Sequence, residues 1–247
     1  IRGSVRSAAH RMQPSHWIVI PCYNEADRLP VETLRTWLPA HPTFGLLFVN
    51  DGSTDGTARI IDDFARSMSD QAATLHLPAN AGKAEAVRRG LLWALDRNPL
   101  SIGYFDADLA TPLDEIPRLQ DVLQSSQADM VIGARVQLLG RDIRRKARRH
   151  YMGRIFATAA SMTLGLAVYD TQCGAKLIRV APWTRSILDR PFLSRWVFDV
   201  ELIARYLGDV RHAPRWPAEP CGIVEVPLTR WHDVGDSKVP VSYTHLR

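Results

Sequence analysis

Residues 46–56 read Leu-Leu-Phe-Val-Asn-Asp-Gly-Ser-Thr-Asp-Gly, an apolar run that stops at a polar turn. Beyond this turn, apolar residues recur at helical spacing, which predicts a helix over Thr57–Met68. Gly52 permits the tight turn, and a side chain from residues 53–55 would cap the helix. The carboxylate of Asp51 is then left free to accept hydrogen bonds from a ligand. The stretch therefore predicts a strand–turn–helix unit.

The same stretch resembles the start of a calcium-binding EF-hand loop, with Asp62 at the twelfth position. An EF-hand loop follows a helix, whereas residues 46–49 have the composition of a strand. The sequence therefore disfavours a calcium loop.

The first half of the chain repeats this alternation of strand and helix. The predicted strands are His16–Ile20, Leu46–Val49, Thr74–Leu77, Ile102–Phe105 and Met130–Ile132, and the predicted helices are Glu32–Leu38, Thr57–Met68, Ala84–Leu95 and Ile116–Leu123. Successive βαβ units predict an α/β fold with a mainly parallel mixed sheet between two layers of helices. In the second half, helices are expected near Trp183–Leu188 and Val197–Leu207, followed by a final strand at Gly222–Val226.

We expect one domain over residues 16–240, with a nucleotide-sugar-binding half at 16–134 and an acceptor-binding half at 135–240. Residues 1–15 are expected to form a non-structured or non-native extension. The tail at 241–247 shows no helical or strand period and is expected to be non-native.

The predicted strand ends of the first half are polar, and two of them are acidic. They read Pro21–Glu25, Asn50–Ser53, Pro78–Lys83 and Asp106–Asp108. In open α/β sheets, ligands bind at the carboxyl ends of the strands, so these four segments predict the ligand site.

Asp106 and Asp108 follow a buried strand, and alternate carboxylates there can both reach one hard cation, Mg²⁺ or Mn²⁺. Such a cation neutralises a diphosphate leaving group. Two solvated loop carboxylates are the alternative interpretation. The Gly82-Lys83 pair is not a P-loop, because Ala84 stands where a Ser or Thr would hold magnesium.

The composition is that of a globular protein of 247 residues with a net charge of +5 and a pI of about 9.4, which suits an anionic partner. No apolar run reaches 18 residues, three separated cysteines form no CxxC pair, and no signal peptide is recognisable. We therefore expect a cytoplasmic protein.

The segment Arg141–His150 holds six cationic residues, and the uncharged segment Ile155–Tyr169 follows it closely. A basic patch leading into an apolar segment favours an anionic membrane surface or a lipid phosphate. A solvated helix face remains open. Nucleic acid is disfavoured, because Tyr151 is the first aromatic residue after the basic run.

Seven motifs occur in an order that resembles the family 2 glycosyltransferases, and within them the dolichyl-phosphate glucosyltransferase branch. They are PCYNE, VNDGSTDGT, NAGKAEAVRRG, DADLAT, GAR, DTQCGAK and RWVFDVEL, within residues 17–238. The resemblance implies a GT-A fold, a UDP-sugar donor, a polyprenyl-phosphate acceptor and a divalent metal. It also implies peripheral association with the cytoplasmic face of a membrane.

Site residues are carried over motif by motif. On the donor side, the resemblance places Pro21, Tyr23, Glu25 and Asp51 around the nucleoside, Lys83 near the base and the metal-binding loop, Asp106 and Asp108 on donor and metal, and Ser237 and Lys238 over the diphosphate. On the acceptor side, it places Arg135 and Arg149 on the acceptor phosphate. Asp199 and Glu201 would lie on a helix that either faces the sugar or only caps the site. One departure concerns Ala110, where mannose-transferring relatives have Gln, so that the metal would need another ligand or water.

The implied reaction inverts the configuration at the anomeric carbon. A phosphate acceptor is already anionic at neutral pH, since its second pKa is about 6, and needs no general base. A sugar-hydroxyl acceptor is the first alternative, with Asp199 as the base. A non-catalytic nucleotide-sugar or membrane-binding module is the second. The hexose, the acceptor's lipid chain (dolichyl or undecaprenyl) and the oligomeric state stay open.

Overall fold

The computed structural model describes residues 13–144, 147–212 and 222–233, with the backbone alone given at 147–155 and 210–212. The strands are β1 His16–Cys22, β2 Phe44–Asn50, β3 Ala72–His76, β4 Ser101–Phe105, β5 Met130–Ala134, β6 Asp142–Arg144, β7 Ala175–Arg179, β8 Ile223–Pro227 and β9 Arg230–His232. The helices are α1 Val31–Ala40, α2 Thr57–Ser67, α3 Lys83–Leu95, α4 Glu115–Ser125, α5 Ala147–Leu164 and α6 Phe198–His212. Every strand and helix predicted in the first half is therefore present.

A seven-stranded sheet with the order β3-β2-β1-β4-β7-β5-β8 forms the centre of the molecule. Strands β1 to β4 are mutually parallel, and β8 is parallel to β5. Only β7 runs antiparallel among the seven, between β4 and β5. The predicted α/β fold with a mainly parallel mixed sheet is confirmed.

Helices cover both faces of this sheet, because its strands bury side chains on both sides. Ile18 and Ile20 of β1 pack in one core cluster with residues of α1, α2 and α4. Trp17 and Val19 point to the other face and pack with residues of α3 and α6. The result is a three-layer α/β/α arrangement.

The second half of the chain differs from the prediction in three ways. Strand β7 was not predicted, because its pattern includes a lysine, Lys176, which is fully buried. The helix expected at Trp183–Leu188 is reduced to a single 3-10 turn at Ser186–Leu188, where the Thr184 hydroxyl bonds locally to the backbone. The strand expected to be last is followed by β9, which pairs with β6 in a separate two-stranded sheet.

Among the helices of the described ranges, none has both the length and the apolar character required to cross a bilayer.

Candidate active site

Hydrogen bonds tie the polar loop after β1 to the loop after β2. The Asn24 amide donates to the Ser53 hydroxyl at 3.0 Å, and the Thr54 amide donates to the Asn24 side chain at 2.8 Å. The Glu25 amide donates to the Thr57 hydroxyl at 2.7 Å. The two strand ends therefore form one continuous polar rim, which is the arrangement expected from the parallel pairing of β1 and β2.

Asp51 connects this rim to the loop after β3. Its carboxylate accepts hydrogen bonds from the amides of Ala81 at 2.7 Å and Gly82 at 2.9 Å, one on each oxygen. Burial raises the pKa of Asp51 despite these two bonds. The carboxylate of Asp51 is 3% exposed and bonded through both oxygens, whereas the sequence predicted a free carboxylate. Contact of Asp51 with a ligand stays a prediction.

Lys83 and Asp106 join the loop after β3 to the loop after β4. The Lys83 ammonium lies 2.5 Å from a carboxylate oxygen of Asp106. Burial disfavours the charge on Lys83, but the carboxylates of Asp106 and Asp199 outweigh burial and raise the pKa of Lys83. Lys83 therefore lies beside the acidic loop, and contact of Lys83 with a donor stays a prediction.

Asp108 lies beside Asp106 and accepts a hydrogen bond from the Ala110 amide at 3.0 Å. Burial, and after it the charge of Asp106, raises the pKa of Asp108. Two crowded carboxylates of this kind form a hard oxygen donor set, which fits a divalent cation. The described residues offer no third His, Cys, Asp or Glu for such an ion, so further ligands would come from the donor or from water.

The expected nucleoside-binding residues lie at the end of β1 and in the loop after it. Pro21 belongs to β1, and Tyr23 is 37% exposed. Glu25 is buried and forms a bidentate ion pair with Arg28, with N–O distances of 3.0 and 2.7 Å. Contact of these side chains with a nucleoside stays a prediction.

Arg135 follows β5 and forms a bidentate ion pair with Asp170. Its Nε and Nη2 atoms lie 2.6 and 2.7 Å from the two carboxylate oxygens, and its guanidinium lies 5.3 Å from the centre of the Trp231 ring. The Asp170 carboxylate also accepts a hydrogen bond from the Arg135 backbone amide at 3.1 Å. A guanidinium has five N–H donors, so this pair orients Arg135 and leaves donors for an anion.

Asp199 lies in the first turn of α6 and is 4% exposed. Its carboxylate accepts hydrogen bonds from the Lys176 ammonium at 2.6 Å and from the Tyr104 hydroxyl. Burial, together with the Asp199 charge, raises the pKa of Tyr104 well above its usual value. Asp199 is thus part of a buried network, whereas Glu201 pairs with Arg205 at 2.6 Å on the same helix.

The remaining expected residues lie outside the described side chains. Arg149 belongs to α5, of which only the backbone is given at that position. Ser237 and Lys238 lie outside the described residues.

Sequence reasoning missed several residues that contact the predicted site residues, and three of them belong to one motif. Asp170, Gly174 and Lys176 all lie in the DTQCGAK motif, which served only to identify a family resemblance. Their roles depend on partners at distant positions, such as the pairing of Lys176 with Asp199. A charged residue inside an apolar strand was the one available signal.

The profile of glycosyl transferase family 2 matches residues 17–183, more than half of the chain. The chain belongs to glycosyl transferase family 2. Dolichyl-phosphate beta-glucosyltransferases from Trichomonas vaginalis and Homo sapiens are 31% and 30% identical to it, over 91% and 93% of its length. It spans 66% and 71% of those two proteins. The predicted resemblance to family 2 glycosyltransferases, and within them to the dolichyl-phosphate glucosyltransferases, is confirmed.

A polyprenol monophosphomannose synthase of Mycolicibacterium smegmatis is 29% identical over 86% of this family 2 chain and 76% of its own. Among solved structures, the Mycobacterium tuberculosis glucosyl-3-phosphoglycerate synthase in complex with Mn²⁺ and UDP-glucose matches with a TM-score of 0.61 at 19% identity. That match covers 91% of this chain and 73% of the synthase. The likeness confirms the expected GT-A type of fold.

Proposed function

We propose that this glycosyltransferase moves a hexose, glucose, from UDP-glucose to a polyprenyl phosphate, dolichyl or undecaprenyl, with inversion at the anomeric carbon. One observation carries the proposal. Lys83, Asp106 and Asp108 meet at the carboxyl edge of the sheet, in a chain about 30% identical to proteins named dolichyl-phosphate beta-glucosyltransferases.

The donor would bind along the polar rim. Pro21, Tyr23, Glu25 and Asp51 would surround the nucleoside, and Lys238 would approach the diphosphate. Asp106 and Asp108 would hold Mg²⁺ or Mn²⁺, which when bound offsets the charge that develops on the leaving diphosphate. The raised pKa of Asp108 supports a cation site, because a cation relieves the crowding with Asp106. Lys83 adds a fixed positive charge beside Asp106.

The acceptor would be a phosphate monoester. A phosphate oxygen attacks the anomeric carbon in line and forms a new C–O bond. The bond to the donor phosphate breaks with its electron pair, and UDP leaves from the opposite face. The phosphate has a second pKa of about 6, so it is anionic at neutral pH and needs no base. Arg135 and Arg149 would position it.

The environment of Asp199 supports the phosphate acceptor over a hydroxyl acceptor. A base for a hydroxyl must reach the proton that it removes. Asp199 is 4% exposed and already accepts hydrogen bonds from Lys176 and Tyr104. We therefore assign Asp199 no proton transfer.

The acceptor would be reached at the cytoplasmic face of a membrane, to which the protein binds peripherally. The support is the basic segment at 141–150, whose cations suit anionic lipid headgroups.

The direct test incubates the protein with UDP-glucose, Mn²⁺ or Mg²⁺ and a short polyprenyl phosphate, and measures UDP release and glycolipid formation. We expect release that requires the lipid phosphate and stops with EDTA. Nucleotide release with another nucleotide sugar, but not with UDP-glucose, would correct the identity of the donor. Release with a sugar-hydroxyl acceptor but not with lipid phosphate would contradict the proposed acceptor.

A further inference from the structure

Three fully or nearly buried polar side chains form a network beneath the acidic loop. Tyr104 and Lys176 are 0% exposed, and Asp199 is 4% exposed. Tyr104 and Lys176 lie opposite each other in the antiparallel pairing of β4 with β7. Both donate to the same carboxylate oxygen of Asp199. Three elements, β4, β7 and α6, are thereby joined at one point in the interior.

The Lys176 ammonium also donates to the backbone carbonyl of Cys173 at 2.7 Å. This bond fixes the turn that leads into β7, in which Gly174 follows Cys173. A lysine buried in a strand is unfavourable unless its charge is paired. Here the charge is balanced by Asp199, and a second of its three donors holds the turn.

The turn held by Lys176 contacts Asp106 in two ways. The Asp106 amide donates to the Gly174 carbonyl at 3.1 Å, which extends the pairing of β4 with β7 by one residue. The Asp106 carboxylate lies against the Cα of Gly174, where any Cβ would overlap it. The position of Asp106 thus depends directly on the position of the turn.

We infer that the Tyr104–Lys176–Asp199 network positions the Asp106 carboxylate for donor binding, by holding the Cys173–Gly174 turn against it. Lys176 is a positioning residue that acts through the turn, and Asp199 holds the Lys176 side chain in place through their ion pair. This inference rests on the proposed function, in which Asp106 contacts the donor. It gives Asp199 a role other than that of a base.

The test compares two variants that each delete one buried tyrosine hydroxyl. Tyr104→Phe removes the bond to Asp199. Tyr206→Phe removes a bond of 2.7 Å to Asp129 from another fully buried tyrosine, on α6, and serves as the matched control. Three properties are measured for each: urea unfolding, hydrogen exchange of the Asp106 amide, and UDP binding in the presence of Mn²⁺.

Both variants should lose similar stability, since each loses the hydrogen bond that a fully buried tyrosine donates to a carboxylate. Only Tyr104→Phe should speed exchange of the Asp106 amide and weaken Mn²⁺-dependent UDP binding, each by about five- to tenfold, as expected for one hydrogen bond. Lys176→Met, where it folds, should weaken UDP binding further than Tyr104→Phe.

Two failures are distinguishable. Wild-type protein that binds no UDP with Mn²⁺ would overturn the proposed function, and the inference with it. Wild-type binding together with equal exchange and equal UDP affinity in the two tyrosine variants would overturn the inference alone.

Discussion

The carboxylates at the two sides of the molecule are held in different ways. On the donor side, Asp51 accepts hydrogen bonds from backbone amides of the loop after β3, and Asp108 accepts one from the Ala110 amide of its own loop. In the second half, Asp170 and Asp199 are held by the cationic side chains of Arg135 and Lys176. Burial raises the pKa of both carboxylates of the first pair, whereas each carboxylate of the second pair forms an ion pair with a cationic side chain.

We interpret this difference as a division between carboxylates that bind ligands and carboxylates that stabilise the folded protein. A carboxylate held by amides is fixed in place but keeps lone pairs for a ligand, and its raised pKa shows that burial is not fully offset. A carboxylate within a buried ion pair cannot lose its partner without leaving a charge uncompensated. Neutralising substitutions on the two sides should therefore affect different properties.

The largest effect is expected on stability, from Asp170→Asn. This change leaves the Arg135 guanidinium without its counter-charge, and breaking a buried pair of this kind lowers the free energy of unfolding by about 3–5 kcal/mol. Urea denaturation followed by circular dichroism measures the loss.

The matched control is Asp96→Asn, which breaks an Asp–Arg pair with Arg185 whose side chains are 63% and 52% exposed. Exposed pairs contribute at most about 1 kcal/mol. Equal losses in the free energy of unfolding of the two variants would show that Asp170 does not stabilise the second half of the chain through its buried ion pair.

The next effect is expected on activity, from Asp108→Asn. We expect UDP release to fall by about a hundredfold or more, the range typical for loss of one charge-stabilising group. Stability should change little or rise, because a crowded and partly buried charge is removed. The change is measured with UDP-glucose, Mn²⁺ and a short polyprenyl phosphate.

Asp121→Asn, on the exposed face of α4, is the control and should retain wild-type activity. A loss of stability in Asp108→Asn as large as that in Asp170→Asn would contradict the division between ligand-binding and supporting carboxylates.

The same division explains how much could be predicted from sequence. Strands β1 to β5 and helices α1 to α4 could be predicted, because each is a local apolar pattern that ends in a polar turn. The acidic loop could be found because Asp106 and Asp108 stand directly after such a pattern. The second half could not, because β7 includes Lys176, whose charge is balanced only by a residue 23 positions away. A partner that distant leaves no local signal in the chain.

The smallest expected effect concerns the opposite edge of the sheet, where the buried His16 side chain bonds to a chain of neutral polar groups. His16 begins β1, is 6% exposed and bonds through Nδ1 to the Ser101 hydroxyl at 2.8 Å. The Ser101 hydroxyl donates to the Gln120 side chain at 2.8 Å, an arrangement that matches a hydrogen on the His16 Nδ1 atom. Asparagine can place an N–H donor at the same point.

Burial lowers the pKa of His16 below its usual 6.5. The unfolded chain therefore binds a proton at a higher pH than the folded protein does, and stability rises with pH in that window. The stability contributed by neutral His16 is complete above pH 6.5 and is lost as the pH falls through the lower folded-state pKa. Urea unfolding across this range should show a weaker pH dependence for His16→Asn than for the wild type. If the pH dependence of stability is the same in the two proteins, His16 is protonated as readily in the folded protein as in the unfolded chain. Burial at the amino edge of the sheet would then not disfavour the charged imidazole.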